Sequence, residues 1–308
     1  MKRFCLVFFC ALFANGIVVK PAPIRPHIAG IDHVRIYVTN IDDARAFYGL
    51  ISGISVKGLS STNSARSSFI MSWGPRTQRL EIEQAPSPAP KNLLAEVAFA
   101  TSNVAQLRSY LVAHGVSAGE IEKDSDGSQH FELRDPEGNP IAFVERSGSI
   151  PISDPPPSVH VDRRMIHAGF VVKDRAAEDK FYKDLLGFRV YWHGGMKDSD
   201  TDWVDMQVPE GSEWLEYMLN VPANAGHHTL GVMDHVAVGV ADIHAAYKAL
   251  VANGSKPKEE PKIGRDGKWQ LNLYDPDDTR IEFMEFTPTE KPCCSPYTGR
   301  HPTNRETP

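Results

Sequence analysis

The chain has 308 residues, with 33 Lys and Arg against 39 Asp and Glu, for a formal net charge of -6. At about 100 to 200 residues per domain this length suggests two domains, and a composition of 41% hydrophobic and 23% charged residues excludes disorder, collagen and coiled coil for the body of the chain. An acidic balance without clustered Lys and Arg gives no electrostatic footprint for nucleic acid or an anionic membrane.

Residues 1–16 read as a secretory signal peptide. Lys2 and Arg3 precede an apolar run from Phe4 to Phe13, and Ala14-Asn15-Gly16 supplies small residues for cleavage. Asn15 and Gly16 interrupt that run before the ~18 apolar residues of a membrane span, so export (periplasmic or extracellular) without a stable span is expected. Cys5 and Cys10 would leave with the signal. The remaining pair, Cys293-Cys294, is adjacent and suits an exposed tail detail or a redox pair better than zinc, which needs four spaced ligands.

The rest of the chain is a duplication. IDHVRIYVTNIDDARAFY (31–48) aligns with MIHAGFVVKDRAAEDKFY (165–182), and DGSQHFELRDPEGNPIAFVE (126–145) aligns without a gap with DGKWQLNLYDPDDTRIEFME (266–285). LAEVAFATSNVAQLRSYLVAHG (94–115) and MDHVAVGVADIHAAYKALVANG (233–254) repeat the same opening inside each half, giving modules near 30–90, 91–147, 163–224 and 230–287. Each begins with a strand followed by a capped helix. Asn103, Asp174 and Asp242 are the expected N-caps, and Gly115, Gly187 and Gly254 the expected stops. Further strands follow, such as 203–208 and 213–219 around the turn Pro209-Glu210-Gly211. The expected fold is α+β: four βαβββ modules paired into two cupped mixed β-sheet domains, 30–147 and 163–287. A Pro-rich linker (148–162) joins them and an irregular tail (288–308) follows.

Period-two alternation sorts the strands of the second half. Ile166, Ala168, Phe170 and Val172 are assigned to the helix-packed face, and His167, Gly169 and Val171 to the other. Val236, Val238 and Val240 pack likewise, with His235, Ala237 and Gly239 facing away. In the closing strands Glu216 and Glu282 share the face of the two His. A carboxylate in a half-buried strand is costly unless its charge is compensated, and a divalent cation does so directly. His167, Glu216, His235 and Glu282 are therefore the candidate ligands of one divalent metal ion (Ni, Zn, Co, Mn or Fe(II)), with Gly169, Ala237 and Gly239 leaving room for a substrate.

The modules resemble those of the vicinal oxygen chelate superfamily, which includes glyoxalase I, extradiol dioxygenases and bleomycin resistance proteins. The resemblance covers about 30–287 and rests on MIHAGFVV, WLEYML, MDHVAVGV and RIEFME. It implies a metal held by a His on each module's first strand and an acidic residue on its last, matching His167, Glu216, His235 and Glu282. In the first half His33 and Glu81 stand in place, but Glu96 replaces the second His, Ala142 replaces the second Glu, and Arg35 and Tyr37 crowd the inner face. That half is expected to have lost its metal; His33, Glu81 and Glu96 make at best a weak site. If modules 1 and 4 closed together instead, His33, Glu81, His235 and Glu282 would form the tetrad, but the proline linker favours pairing within each half.

The resemblance implies a glyoxalase-like lyase or isomerase acting on a small hydroxycarbonyl substrate. The metal would chelate vicinal oxygens and stabilise an enediolate while Glu216 or Glu282, the catalytic candidates, moves the proton. One alternative is an extradiol-type Fe(II) dioxygenase using His167, His235 and Glu282. Against it, Asn272 stands where that family's Tyr is expected, 264–266 offer no His, and Glu216 is surplus. A second alternative is a non-catalytic binding or resistance protein. His227-His228, 256–262 and 198–202 are read as solvated loops, and His193 as near the pocket.

Overall fold

The computed structural model describes residues 24–52, 67–73, 78–147 and 164–303. The signal peptide and linker expected at 1–16 and 148–162 lie outside the described residues, and none of the described helices is long and apolar enough to cross a membrane.

Two curled mixed sheets carry the fold. The first has the order β2-β3-β1-β4-β7-β6-β5, with β1 Ile28–Val38, β2 Ser68–Trp73, β3 Gln78–Gln84, β4 Leu94–Thr101, β5 Glu122–Lys123, β6 Gln129–Arg134 and β7 Pro140–Glu145. The second has the order β13-β14-β15-β12-β8-β11-β10-β9. Its strands are β8 Arg164–Val171, β9 Arg189–Gly194, β10 Trp203–Gln207, β11 Trp214–Met218, β12 His235–Val240, β13 Lys262–Ile263, β14 Trp269–Tyr274 and β15 Arg280–Glu285. In each sheet the opening strands of two modules run antiparallel at the centre (β1 with β4, β8 with β12), and each module's closing strand lies parallel beside its own opening strand. Modules therefore pair within each half: His33 and Glu81 stand in one sheet, His235 and Glu282 in the other.

The helices pack on the convex faces. α1 (Ile41–Ser52), α2 (Val104–Ala113), α3 (Arg175–Glu178, continued by a π-helical stretch Asp179–Leu185) and α5 (Ile243–Ala252) follow the four opening strands. Asn103, Asp174 and Asp242 accept from the backbone N–H three residues on, and Gly115, Gly187 and Gly254 adopt positive φ where those helices end. α4 (His227–Met233) is a short helix where a solvated loop is expected, although His227 and His228 are indeed exposed. The core lies between helices and sheets, where Val34, Ile36, Leu107, Phe143, Phe170, Val238 and Phe283 are fully buried. Each such side chain contributes on the order of 1.5–3 kcal/mol on burial.

One strand departs from simple alternation. A register shift between β8 and β12 sets Ala237 opposite His167 but Val238 opposite Met165, so Met165 enters the helix-packed core. Ile166, assigned by alternation to that core, packs instead on the concave side with Ala237, Trp214 and Met284.

The halves clasp through their repeat-equivalent turns. Tyr48 Oη donates to Asp275 (3.0 Å), and Tyr182 Oη donates to Asp135 (3.2 Å). The DP turn of module 4 thus receives the helix of module 1, and the DP turn of module 2 the helix of module 3. Gln78 adds a β-like link by accepting from Met165 N–H and donating to Met165 C=O.

Residues 287–303 contain no helix or strand, as expected of the tail, yet they are packed. Thr298 N–H donates to Tyr191 C=O on the edge strand β9, Cys293 N–H to Arg265 C=O beyond the other edge, and Tyr297 Oη to Asp266 C=O. The tail therefore straps the concave face of the second sheet. Cys293 and Cys294 are disulfide-bonded to each other within it.

Candidate metal centre

Strand register brings the predicted tetrad together. Trp214, His167, Ala237, Glu282 and Asn272 form one row across five adjacent strands, and Glu216, Gly169 and His235 form the next. Directly paired residues project to one side of a sheet, so both His and both Glu meet on the concave face.

The donor atoms converge. His167 Nε2 lies 3.0 Å from His235 Nε2. Glu216 Oε2 lies 3.1 Å from His235 Nε2 and 3.7 Å from His167 Nε2, and Glu282 Oε2 lies 3.5 and 3.4 Å from the same atoms. Four donors about 2.0–2.1 Å from one tetrahedral cation stand ~3.3 Å apart, so these separations fit a first-row divalent metal. His167, His235 and Glu282 form one group whose ligand atoms lie within 4.8 Å of one another, with all three residues buried. Glu216 is the most accessible of the four, at 14% side-chain exposure. His235 Nδ1 faces Met233 C=O at 2.8 Å, which holds the proton on Nδ1 and leaves the Nε2 lone pair for a metal.

Charge around the tetrad also favours a cation. Arg280 lies on the same face as Glu282, two residues earlier, and its Nη2 approaches the His235 ring at 2.8–2.9 Å. Burial opposes ionisation of Glu282, but Arg280 first, then His167 and His235, hold its carboxyl well below the usual range. Glu216 is lowered too, with burial outweighed by His235 and His167. Burial depresses His167, whereas His235 is raised because Glu216 and Glu282 outweigh burial and Arg280. Asp205, directly opposite Glu216, is pushed well above the carboxylate range by burial and by Glu216. Asp266 is raised to about 6 by burial. Glu216 and Glu282, the two carboxylates held ionised, are the buried charges that one divalent ion would offset.

Several of these groups carry no motif of their own in the sequence. Lys268 is fully buried, and its Nζ has no hydrogen-bond partner among the described residues. It sits 4.5 Å from the Trp214 ring centroid, 5.3 Å from Tyr297 and 5.4 Å from Tyr191. Trp214 also stacks on His167, centroid to centroid 4.8 Å. Alternation from Glu216 and Glu282 was the available signal for Asp205 and Arg280; for Lys268 and Tyr297 there was none, because the tail brings them together.

The small residues serve otherwise than expected. A Cβ on Gly169 would overlap the imidazole of His235, and one on Gly239 would overlap Phe286 and Ile166. They make room for the protein's own rings. His193 pairs with Val204, whose side chain enters the core, so it lies on the face away from the tetrad.

The first sheet builds a different centre. His33 Nδ1 meets Asp32 at 2.7 Å and its Nε2 meets Glu96 at 3.1 Å, while Arg35 pairs with both Glu81 (3.2 Å) and Glu96 (3.4 Å), so a cation of the chain already answers these acids. Burial alone would depress this imidazole, but Glu81, Asp32 and Glu96 raise it to about 9. Among the described residues, His33, Glu81 and Glu96 do not gather into a metal-binding group.

Comparison with known proteins agrees with this geometry. A family model described as Glyoxalase/Bleomycin resistance protein/Dioxygenase superfamily matches residues 30–143 and 164–283. A probable chloroplastic lactoylglutathione lyase of Arabidopsis thaliana is 26% identical over 136 residues, 43% of this chain and 38% of that protein. The lactoylglutathione lyase of Haemophilus influenzae is 26% identical over 129 residues, 41% of this chain and 96% of that protein. Homoprotocatechuate 2,3-dioxygenase from Brevibacterium fuscum superposes with TM-score 0.64 at 20% identity, covering 92% of this chain and 76% of that one. The enzyme from Arthrobacter globiformis gives 0.61 at 19%, covering 88% and 84%. These structural likenesses establish the shared fold. With the family match spanning both halves, the chain belongs to the Glyoxalase/Bleomycin resistance protein/Dioxygenase superfamily.

Proposed function

We propose that this protein is a divalent-metal-dependent lyase or isomerase of glyoxalase type, acting on a small substrate with vicinal oxygens. His167, Glu216, His235 and Glu282 would hold the metal, which when bound supplies a Lewis acid that polarises the substrate's oxygens and acidifies the neighbouring C–H. The observation that carries this reading is the second carboxylate: Glu216 Oε2 stands 3.1 Å from His235 Nε2, beside a triad already complete without it. Glu282 is buried and fixed by Arg280 and the two His, whereas Glu216 reaches the accessible side of the cluster. Glu216 is accordingly the residue that takes the proton from the substrate carbon and returns it to the neighbouring one, and Asp205 opposite it tunes its basicity. The 26% identity to two lactoylglutathione lyases supports the same class.

A second reading, extradiol-type ring cleavage with Fe(II), is favoured by the buried set of two His and one carboxylate that His167, His235 and Glu282 form. Metal analysis, hemithioacetal isomerisation and oxygen uptake with catechols divide the two. Isomerisation abolished by Glu216→Gln with metal retained supports the lyase. Oxygen uptake that survives Glu216→Gln overturns it in favour of the dioxygenase, and absence of stoichiometric metal overturns both. The proposal extends to export, on the sequence of residues 1–16; a mature N-terminus near residue 17 is the expected result of N-terminal sequencing, and an intact Met1 would overturn it.

A further inference from the structure

Two adjacent cysteines lie in the strap that crosses the metal cup. Ser295 N–H donates to Cys293 C=O at 2.7 Å, and Cys294 between them holds φ at 68°. A hydrogen bond across one residue at positive φ is the rare, strained form of the γ-turn, which a non-glycine residue keeps only when its surroundings over-determine it. The disulfide supplies that constraint here, because it closes a ring around the 293–294 peptide.

This turn is docked on both edges of the sheet. Cys293 N–H donates at 2.9 Å to Arg265 C=O, between β13 and β14, and Trp192 Nε1 of β9 donates to Cys293 C=O at 3.2 Å. Ser295 Oγ accepts from His193 N–H and donates to His193 C=O, both at 2.9 Å. Glycines keep the track clear: a Cβ on Gly267 would overlap Glu290 C=O, and one on Gly194 would crowd Cys293 Sγ. Beneath the turn, Cys293 and Tyr297 pack on the concave cluster that includes Trp214 and Ala237, and Trp214 stacks on His167. One aromatic layer thus separates the strap from a candidate metal ligand.

We propose that Cys293–Cys294 is a redox latch: the disulfide holds the strap across the metal cup, and its reduction by a dithiol frees the strap and opens the cup. Cys294 is exposed and Cys293 half-buried, so a thiolate of the dithiol attacks Sγ of Cys294. The bond between the two sulfurs breaks, a mixed disulfide forms on Cys294, and Cys293 leaves as a thiolate that takes up a proton. The second thiol of the reductant then resolves the mixed disulfide and expels Cys294, which is protonated in turn. The reductant departs as its own disulfide, and the pair has gained two electrons and two protons. Arg265 Nη2 lies 3.8 Å from Cys294 Sγ, where a guanidinium favours the departing thiolate. Without the ring Cys294 leaves positive φ, and the bonds of this turn to Trp192 and His193 are lost together.

The effect on the metal rests on the function proposed above; the latch itself does not. Hydrogen exchange of the full chain, read by mass spectrometry before and after reduction with dithiothreitol, tests the latch, with alkylation mapped to peptides to read the state of Cys293 and Cys294. Exchange over residues 290–298 is expected to rise at least tenfold on reduction. The double variant Cys293→Ser, Cys294→Ser is expected to exchange fast with or without reductant. Unchanged exchange in protein whose pair is fully alkylated would overturn the proposal, as would a pair already free before reduction. Withdrawal by EDTA of zinc loaded before reduction reads the cup: at least tenfold faster loss from the reduced protein is expected, and equal rates would overturn control of the cup. A chain that takes up no zinc counts against the metal centre instead, and the exchange result alone then decides the latch.

Discussion

Gly169 leaves the space that the imidazole of His235 fills: a Cβ built at residue 169 overlaps Cε1 and Nδ1 of that ring. The two residues are register partners on the central strands, so neither backbone moves easily to relieve the overlap. Gly169→Ala is expected to push His235 off the shared centre and weaken metal binding by tenfold or more, while far-UV circular dichroism stays unchanged. Metal titration of the purified variant checks this.

Removing a ligand and removing a proton carrier should separate. His235→Ala is expected to abolish stoichiometric metal. Glu216→Gln is expected to keep it and to lower turnover by roughly 10²–10⁴-fold, the range general base catalysis contributes. Metal content and steady-state rates on the same preparations read both effects.

The interface between modules 2 and 3 predicts a pH-dependent stability. Glu178 lies fully buried beside Asp135 and Tyr182, with Oε1 accepting from Glu137 N–H and Oε2 without a hydrogen-bond partner among the described residues. Burial, then Asp135, raises its pKa to about 8. Since the unfolded carboxyl ionises near 4.5, the folded state holds the extra proton between those values, and this contribution to stability is lost as pH rises through 8. Glu178→Gln keeps the neutral shape and should flatten that slope. Its advantage over the parent is expected to grow from pH 5 to pH 8, to on the order of a few kcal/mol, in urea unfolding at several pH values.

Lys268 answers the buried acids around it. Replacing it with Met fills the aromatic cage of Trp214, Tyr191 and Tyr297 but leaves Asp266 without its cation. Breaking a buried charge cluster on one side costs about 3–5 kcal/mol. Asp266, raised to about 6 by burial, takes up a proton below that pH, so the loss in Lys268→Met should be large at pH 8 and smaller at pH 5. Thermal unfolding at the two pH values would detect the difference, and an equal loss at both would contradict it.

Much of the centre was legible because its residues sit at fixed places in a repeated unit. His167 and His235 open their modules, Glu216 and Glu282 close theirs, and a two-residue period assigns all four to one face wherever the strand is regular. Ile166 shows the limit of that argument: one register shift beside β12 turns it to the concave side, and a bulge leaves no mark in the pattern of apolar residues. The N-caps and glycine stops were equally readable, since their chemistry is local.

By itself, the sequence determined the duplication, the α+β modules and the identity of the four candidate ligands, because these depend on period, spacing and short-range chemistry. Only the tertiary structure decided which modules share a sheet, since both pairings satisfy the same local pattern and the choice lies in hydrogen bonds between strands far apart in the chain. The same holds for the rest of the two cups. Lys268 meets Tyr297 because the tail crosses the concave face, and Arg79 and Arg35 stand where Trp214 and Gly169 stand in the other half because of strand register. Long-range contacts of this kind place a charge against its partner, and the local pattern of a single strand does not record them.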